Sequence, residues 1–170
     1  MRLLRESSVM DYQVIDNFLP KDQFNYLQEL LTGPWFPWYY NDYSVDTGDV
    51  NGRHKHSVYN PKRGSLTEYL PYFDNCQGKL GVKKLHRILV NSVGPSFLFR
   101  KNTGFHTDDI PCPYTSIFYI NTNNGYTLFE GGDKIRCVAN RMLVFDSSLR
   151  HAAVTCTDNP RRIVVNFNYE

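Results

Sequence analysis

Cysteine is scarce in this 170-residue chain. Its four cysteines, Cys76, Cys112, Cys137 and Cys156, lie far apart, and none forms a C-x-x-C pair. That excludes a zinc ribbon or a thioredoxin-type motif, and it predicts reduced, buried thiols rather than a disulfide framework. Long hydrophobic runs are missing too. No stretch reaches the roughly eighteen apolar residues of a membrane span. The opening Met1-Arg-Leu-Leu-Arg-Glu-Ser-Ser8 has no apolar stretch of the kind a secretory signal carries, so a cytoplasmic location is expected. Charge of one sign is lacking: 19 Lys and Arg stand against 17 Asp and Glu, a net of +2. Nothing in that balance attracts a nucleic acid or a membrane surface in bulk. There is no internal repeat and no low-complexity segment.

What the chain has in plenty is aromatic side chains, 15% of residues, with 12 Tyr and 11 Phe. Aromatics fit strands and lined pockets, which favours a β-rich fold. The hydrophobic share of 41% and the charged share of 21% are those of a globular chain about one domain long. Lys21 to Leu31 reads as a helix, since Phe24, Leu27, Leu30 and Leu31 share one face, Pro20 precedes it and Gly33-Pro34 ends it. A weaker helix is expected from about Leu66 to Phe73, cut short by Pro71. Beyond Leu85 the texture changes to short β-type runs separated by turn signals. The runs are 87–93, 115–120, 126–129, 134–138, 142–145 and 163–169, a spacing that suggests a sandwich or barrel. The layout expected is a single domain over 1–170, with a helical N-terminal part over about 1–84 and a β-core over about 85–170.

Five histidines are present, and only His106 has an acid two residues on, in Gly104-Phe-His-Thr-Asp-Asp109. In extended chain, positions i and i+2 point the same way, so His106 and Asp108 can hold one ion together. H-x-D alone has little specificity. His151 supplies context, because it follows the strand Met142-Leu-Val-Phe145 and a polar turn. Two imidazoles and one carboxylate leave three positions of an octahedral ion open, which suits non-haem Fe(II) holding a chelating cosubstrate and oxygen. A structural zinc site would close four ligands, usually with thiolate. On the last strand, Arg162, Val164, Asn166 and Asn168 share one face, and Ile163, Val165, Phe167 and Tyr169 share the other. A buried Arg162 demands an anion, either an acid of the chain such as Glu130 or Asp133, or a ligand carboxylate bound in bidentate fashion.

The order His106-x-Asp108, His151, Arg162 resembles the Fe(II)/2-oxoglutarate-dependent oxygenases, in their small prolyl-4-hydroxylase-like branch. Thr115-Ser-Ile-Phe-Tyr-Ile-Asn121 is similar to the strand that follows H-x-D in oxygen-sensing prolyl hydroxylases. Gly125-Tyr-Thr-Leu-Phe-Glu-Gly-Gly-Asp133, Val138 to Asp146 and Arg162 to Asn168 are similar to small oxygenases of marine phages and bacteria. The resemblance covers residues 85–170 well and the N-terminal part only in outline, through Asp16-Asn-Phe-Leu-Pro20. It implies a mainly β fold with flanking helices around a double-stranded β-helix, a jelly-roll, cupin-like core. His106 and Asp108 would lie just after its second strand, His151 on the seventh and Arg162 on the eighth.

The resemblance also implies roles. His106, Asp108 and His151 would bind Fe(II), and 2-oxoglutarate would chelate that iron and pair its far carboxylate with Arg162. A one-residue slip would put Arg161 there instead. Tyr119 matches the cosubstrate tyrosine, Thr115 and Ile117 share its strand face, and Asn166 would stand behind the ligands. With O2, the chain would hydroxylate an unactivated C–H bond of a protein or peptide residue, releasing succinate and CO2. The alternatives are the same chemistry on a free amino acid, nucleobase or small metabolite, or a cupin-like metal binder without turnover. For a phage protein, the cytoplasm would be the host's. His54 and His56, in a basic polar run, are expected to be solvated. The aromatic cluster from Trp35 to Tyr43 would either cap the barrel or wall the substrate entrance.

Overall fold

The computed structural model describes residues 12–41, 53–108 and 110–170. The first helix forms where its apolar spacing requires. Helix α1 (Lys21–Thr32) buries Phe24, Leu27 and Leu31, and at its end the Gly33 amide donates to the Glu29 carbonyl. The second helix is displaced from its expected position. Residues 66–73 hold the end of a short strand and a 3-10 turn, Leu70–Phe73, and helix α2 (Asp74–Leu80) follows. Pro71 therefore opens a helical segment instead of closing one, since its missing N–H costs nothing in a first turn.

Eleven strands accompany these helices among the described residues. They are β1 (Tyr12–Ile15), β2 (Tyr39–Asn41), β3 (Arg53–Asn60), β4 (Ser65–Leu66), β5 (Leu85–Val93), β6 (Tyr114–Tyr119), β7 (Tyr126–Phe129), β8 (Lys134–Arg136), β9 (Arg141–Asp146), β10 (His151–Val154) and β11 (Arg162–Tyr169). The large sheet runs β1-β9-β6-β11-β5-β3-β2, with β4 paired to β3. The small sheet runs β10-β7-β8 and is extended by residues 102–106, which bridge to β10 at Asn102–Val154 and His106–His151. The pairings are antiparallel, and from β5 onward the chain passes to and fro between the sheets in jelly-roll order, with the β7–β8 hairpin kept within the small sheet. This is a double-stranded β-helix. The N-terminal part expected to be helical also contributes β1 to β4 to the large sheet. The polar run of β3 became a strand through its antiparallel pairing with β5, a tertiary cause that local propensity does not carry.

The large sheet is buried on both faces, which explains the near-continuous apolar reading of β6 and β11. Phe118, Ile163, Val165, Phe167 and Tyr169 pack outward with Phe24, Leu27 and Leu31 of α1 and with Phe73 and Cys76. Ile117, Tyr119, Leu143, Phe145 and Val164 face inward onto Phe129, Ile135 and Cys137 of the small sheet. Asn140, with φ of 62°, takes the left-handed turn before β9. Its side chain accepts from the Leu19 amide at 2.9 Å and donates to the Leu19 carbonyl at 2.8 Å, fastening the entry to α1. All four cysteines are free and buried.

Phe118 is fully buried and meets Phe18 and Phe24 edge-on, at 5.6 and 5.9 Å between ring centres. Phe118→Ala is expected to destabilise the chain by about 3–5 kcal/mol. A urea titration should show this as a lower midpoint with an unchanged slope.

Candidate active site

Three side chains converge at one end of the barrel. His106 ends the segment that extends the small sheet, Asp108 stands two residues on, and His151 begins β10. The two histidines are cross-strand partners. Each amide donates to the other's carbonyl at 3.0 Å, and their rings lie 4.7 Å apart. One ligating atom from each of His106, Asp108 and His151 falls within 4.8 Å of the others. His106 Nδ1 meets the Gly104 carbonyl at 3.2 Å, and His151 Nδ1 meets the Leu149 carbonyl at 3.1 Å. An Nδ1–H donated to a carbonyl fixes the tautomer and leaves Nε2 as the free lone pair. Burial pushes the His151 imidazole below its usual pKa, and His106 beside it adds to that shift, so the ring is neutral at pH 7. A neutral imidazole is the form that ligates a metal.

Asp108 is held from three strands at once. Arg87 of β5 pairs with Oδ1 at 2.9 Å. Asn168 of β11 donates to Oδ2 at 2.8 Å, and Thr115 of β6 reaches the same oxygen at 3.4 Å. Arg87 Nε donates to Asn168 Oδ1 at 2.9 Å, which closes the ring. The strand register explains the cluster, for Arg87 and Thr115 are the two partners opposite Asn168 on either side of β11. Burial alone would raise the Asp108 pKa. The Arg87 charge and the Asn168 hydrogen bond outweigh it, so the carboxyl sits below the ordinary value.

Arg162, the first residue of β11, projects into the barrel and is 2% exposed. Its Nε donates to Cys137 Sγ at 3.0 Å and its Nη2 to Thr127 Oγ1 at 3.2 Å. Among the described residues no carboxylate pairs with it: Glu130 binds Arg150 at 3.1 Å, and Asp133 accepts from the Tyr12 hydroxyl at 3.2 Å. Tyr119 OH also donates to Thr127 Oγ1, at 2.7 Å. A hydroxyl has two lone pairs and one hydrogen. With both lone pairs taken, the Thr127 hydroxyl can act further only as a donor, and Thr127 lines a cavity. That cavity runs from His106 and His151 to Arg162, past Asn91, Ile117 and Asn166. Gly125 makes room for the guanidinium, since a Cβ there would stand 3.1 Å from Arg162 Cδ and 2.8 Å from the Val154 carbonyl oxygen.

The structure distributes the residues singled out in the sequence as follows. His106, His151, Arg162 and Asn166 line the cavity. Tyr119 lies outside its lining, fully buried against Thr127. Thr115 lies at Asp108, not in the cavity. Arg161 points outward, donating to the Thr32 carbonyl at the end of α1 at 2.6 Å and stacking on Trp38. His54 is exposed as expected, but His56 is buried among Phe36 and Tyr69, with its Nδ1 on the Pro37 carbonyl at 2.8 Å. The Pro34–Trp38 stretch folds over β3 and covers it, which a local reading of a basic run could not foresee. In the aromatic cluster Phe36 is core, while Trp35, Tyr39 and Tyr40 are exposed and none lines the cavity. Tyr43 lies outside the described residues. Sequence reasoning missed Arg87, Asn91 and Thr127. Only the two-residue period of β5 and β7, which sets Arg87 on one face with Asn91 and Val93, could have signalled them.

No family model matches the chain, and no curated protein is significantly similar in sequence. Solved structures do match. The chain is similar to an oxidoreductase of the 2OG-Fe(II) oxygenase family from Burkholderia pseudomallei, at 12% identity and a TM-score of 0.65, covering 94% of this chain and 84% of that one. It is similar to a prolyl hydroxylase from Trichoplax adhaerens, solved in complex with a peptide fragment of the hypoxia inducible factor oxygen degradation domain, at 18% identity and 0.62, covering 95% and 84%. A prolyl-4-hydroxylase from Pseudomonas putida matches at 15% identity and 0.60, covering 96% and 95%. The fold is thus the one found in 2-oxoglutarate/Fe(II) oxygenases. Among these, prolyl hydroxylases match over nearly the whole of this chain.

Arg87→Met removes the charge that holds the Asp108 carboxyl low. A carboxylate with a depressed folded-state pKa contributes stability above its unfolded-state pKa, and that stability is lost as pH falls through the folded value. The variant is therefore expected to lose its fold at a higher pH than the parent during acid titration of the metal-free protein, followed by circular dichroism.

Proposed function

We propose that the chain is an Fe(II)- and 2-oxoglutarate-dependent dioxygenase that hydroxylates an unactivated C–H bond, with a protein or peptide residue as substrate, in the manner of a prolyl hydroxylase. The observation that carries this reading is the pairing, across one cavity, of a His-Asp-His cluster with a buried arginine that no carboxylate of the described residues neutralises. The donor set fits the ion. Two imidazoles and a carboxylate, without thiolate, suit a hard-to-borderline divalent metal and leave three positions open.

His106, Asp108 and His151 would hold Fe(II), and Arg162 with the Thr127 hydroxyl would hold the far carboxylate of 2-oxoglutarate. Bound together, iron and 2-oxoglutarate would supply an oxidation in which O2 places one oxygen atom in the substrate C–H bond and the other in succinate, with loss of CO2. The chain's own residues prepare for this. Arg87, Asn168 and Thr115 orient the Asp108 carboxylate. The carbonyls of Gly104 and Leu149 orient the two rings. Tyr119 sets the Thr127 hydroxyl. Ile117 and Val164 contribute apolar surface to a cavity wall that also carries Asn91, Asn166 and Thr127, and that surface would strengthen an Arg162–carboxylate pair by excluding water.

The reading is tested by succinate release from 2-oxoglutarate under air with Fe(II), and by Co(II) binding followed through its visible absorption. His106→Ala is expected to abolish both. Arg162→Ala is expected to keep the Co(II) spectrum and to weaken 2-oxoglutarate binding by about a hundredfold, as removing one partner of a buried charge pair does. Metal binding without succinate release in the parent chain would instead mark a binder that does not turn over.

A further inference from the structure

The inner face of the large sheet does not end at the cavity. Strand β3 continues it beyond β5, and Lys55 stands directly opposite Asn91. Asn91 and Arg53 line the cavity together with His106 and His151. Lys55 is therefore one strand removed from the cavity wall, half-buried, and close enough to Arg53, Arg63 and Arg87 for their charges to act on it. Burial first, then these three arginines, pulls its ammonium below the usual lysine pKa. Arg87 spends its charge on Asp108. Among the described residues no carboxylate pairs with Lys55 or Arg63. A half-buried ammonium under the field of other cations, with no acid of the described residues paired to it, is stabilised by an added anion.

A second observation comes from within the cavity. Asn91 is 4% exposed, and its side-chain oxygen is buried with no hydrogen-bond partner. A buried acceptor without a donor is costly. The 2-oxoglutarate dianion offers only acceptors, so the cosubstrate cannot satisfy that oxygen, whereas an N–H group can. One neighbourhood therefore asks for an anion at Lys55 and for a donor at Asn91.

We propose that the substrate is an acidic peptide, whose Asp or Glu carboxylate docks on Lys55 with Arg63 beside it, while one of its N–H groups donates to Asn91 Oδ1 inside the cavity. This rests on the oxygenase reading for the role of the cavity, though not for the contacts themselves. A polynucleotide fits less well. Phosphates along a strand need a track of cations, and here the cations gather at one point in a chain whose net charge is only +2.

The test uses the full chain and a set of fluorescent proline-centred peptides. Each carries one Asp at a different distance from the proline, and each has a twin with Asn in its place. Binding is read by anisotropy with Mn(II) and 2-oxoglutarate bound, and again without them. At one or more positions the Asp peptide should bind about tenfold more tightly than its twin, a preference of about 1.4 kcal/mol that added salt weakens. Lys55→Met should erase the preference, and Lys55→Arg should restore it. Arg63→Ala, at an exposed residue, should reduce it. Equal binding of the twins at every position, equal loss of both in Lys55→Met, or displacement of the peptides by a single-stranded DNA oligonucleotide at lower concentration would each overturn the proposal. Failure of the oxygenase reading shows separately, as loss of Mn(II) and 2-oxoglutarate binding in calorimetry while the metal-free anisotropy still reports on the peptide.

Discussion

A guanidinium buried in the barrel organises this structure. Arg162 is fixed by weak neutral acceptors, a thiol and a hydroxyl, where a buried cation would ordinarily meet a carboxylate. Its surroundings accept that cost. Gly125 gives up a side chain to leave it space, Thr127 offers a lone pair, and Tyr119 takes the other lone pair, so that the hydroxyl can act further only as a donor. A buried cation with only neutral partners keeps most of its Coulombic interaction unused.

The second organising element is the row of side chains that crosses β5, β11 and β6. Arg87, Asn168 and Thr115 are neighbours because three strands pair in one register, and Asp108 rests on all three. Sheet pairing thus aims a carboxylate that itself belongs to no strand. The two histidines are tied to each other by main-chain hydrogen bonds of the small sheet, while side chains of the large sheet hold the aspartate, so both sheets position the cluster. A one-residue slip in β11 would turn Asn168 and Arg162 outward together. Register is therefore as much a functional constraint here as a structural one.

Much of this was legible in the sequence where chemistry and periodicity agreed. The alternation of β11 placed Arg162, Asn166 and Asn168 inward, and the apolar residues between them did meet the helices. The apolar spacing of α1 read directly as well. What could not be read were properties created by distant pairing. Arg53 to Asn60 looks like a solvated basic run, yet it becomes a strand because β5 lies beside it, and His56 becomes core because the segment from Pro34 to Trp38 folds over it. Thr115 and Tyr119 lie on the expected face, but one serves the aspartate and the other a threonine. Face can be counted along a strand; depth cannot. The ring around Asp108 joins residues 87, 108, 115 and 168, and no local pattern reports a meeting of that kind.

The mutual pairing of His106 and His151 has a further consequence. Two of the three ligand positions are set by amides and carbonyls that are already satisfied, and the third by a guanidinium and an amide of the chain itself. The histidine pair and the carboxylate are thus held by separate means, so a substitution at Arg87 or Asn168 can misplace the carboxylate and leave the paired histidines where they are.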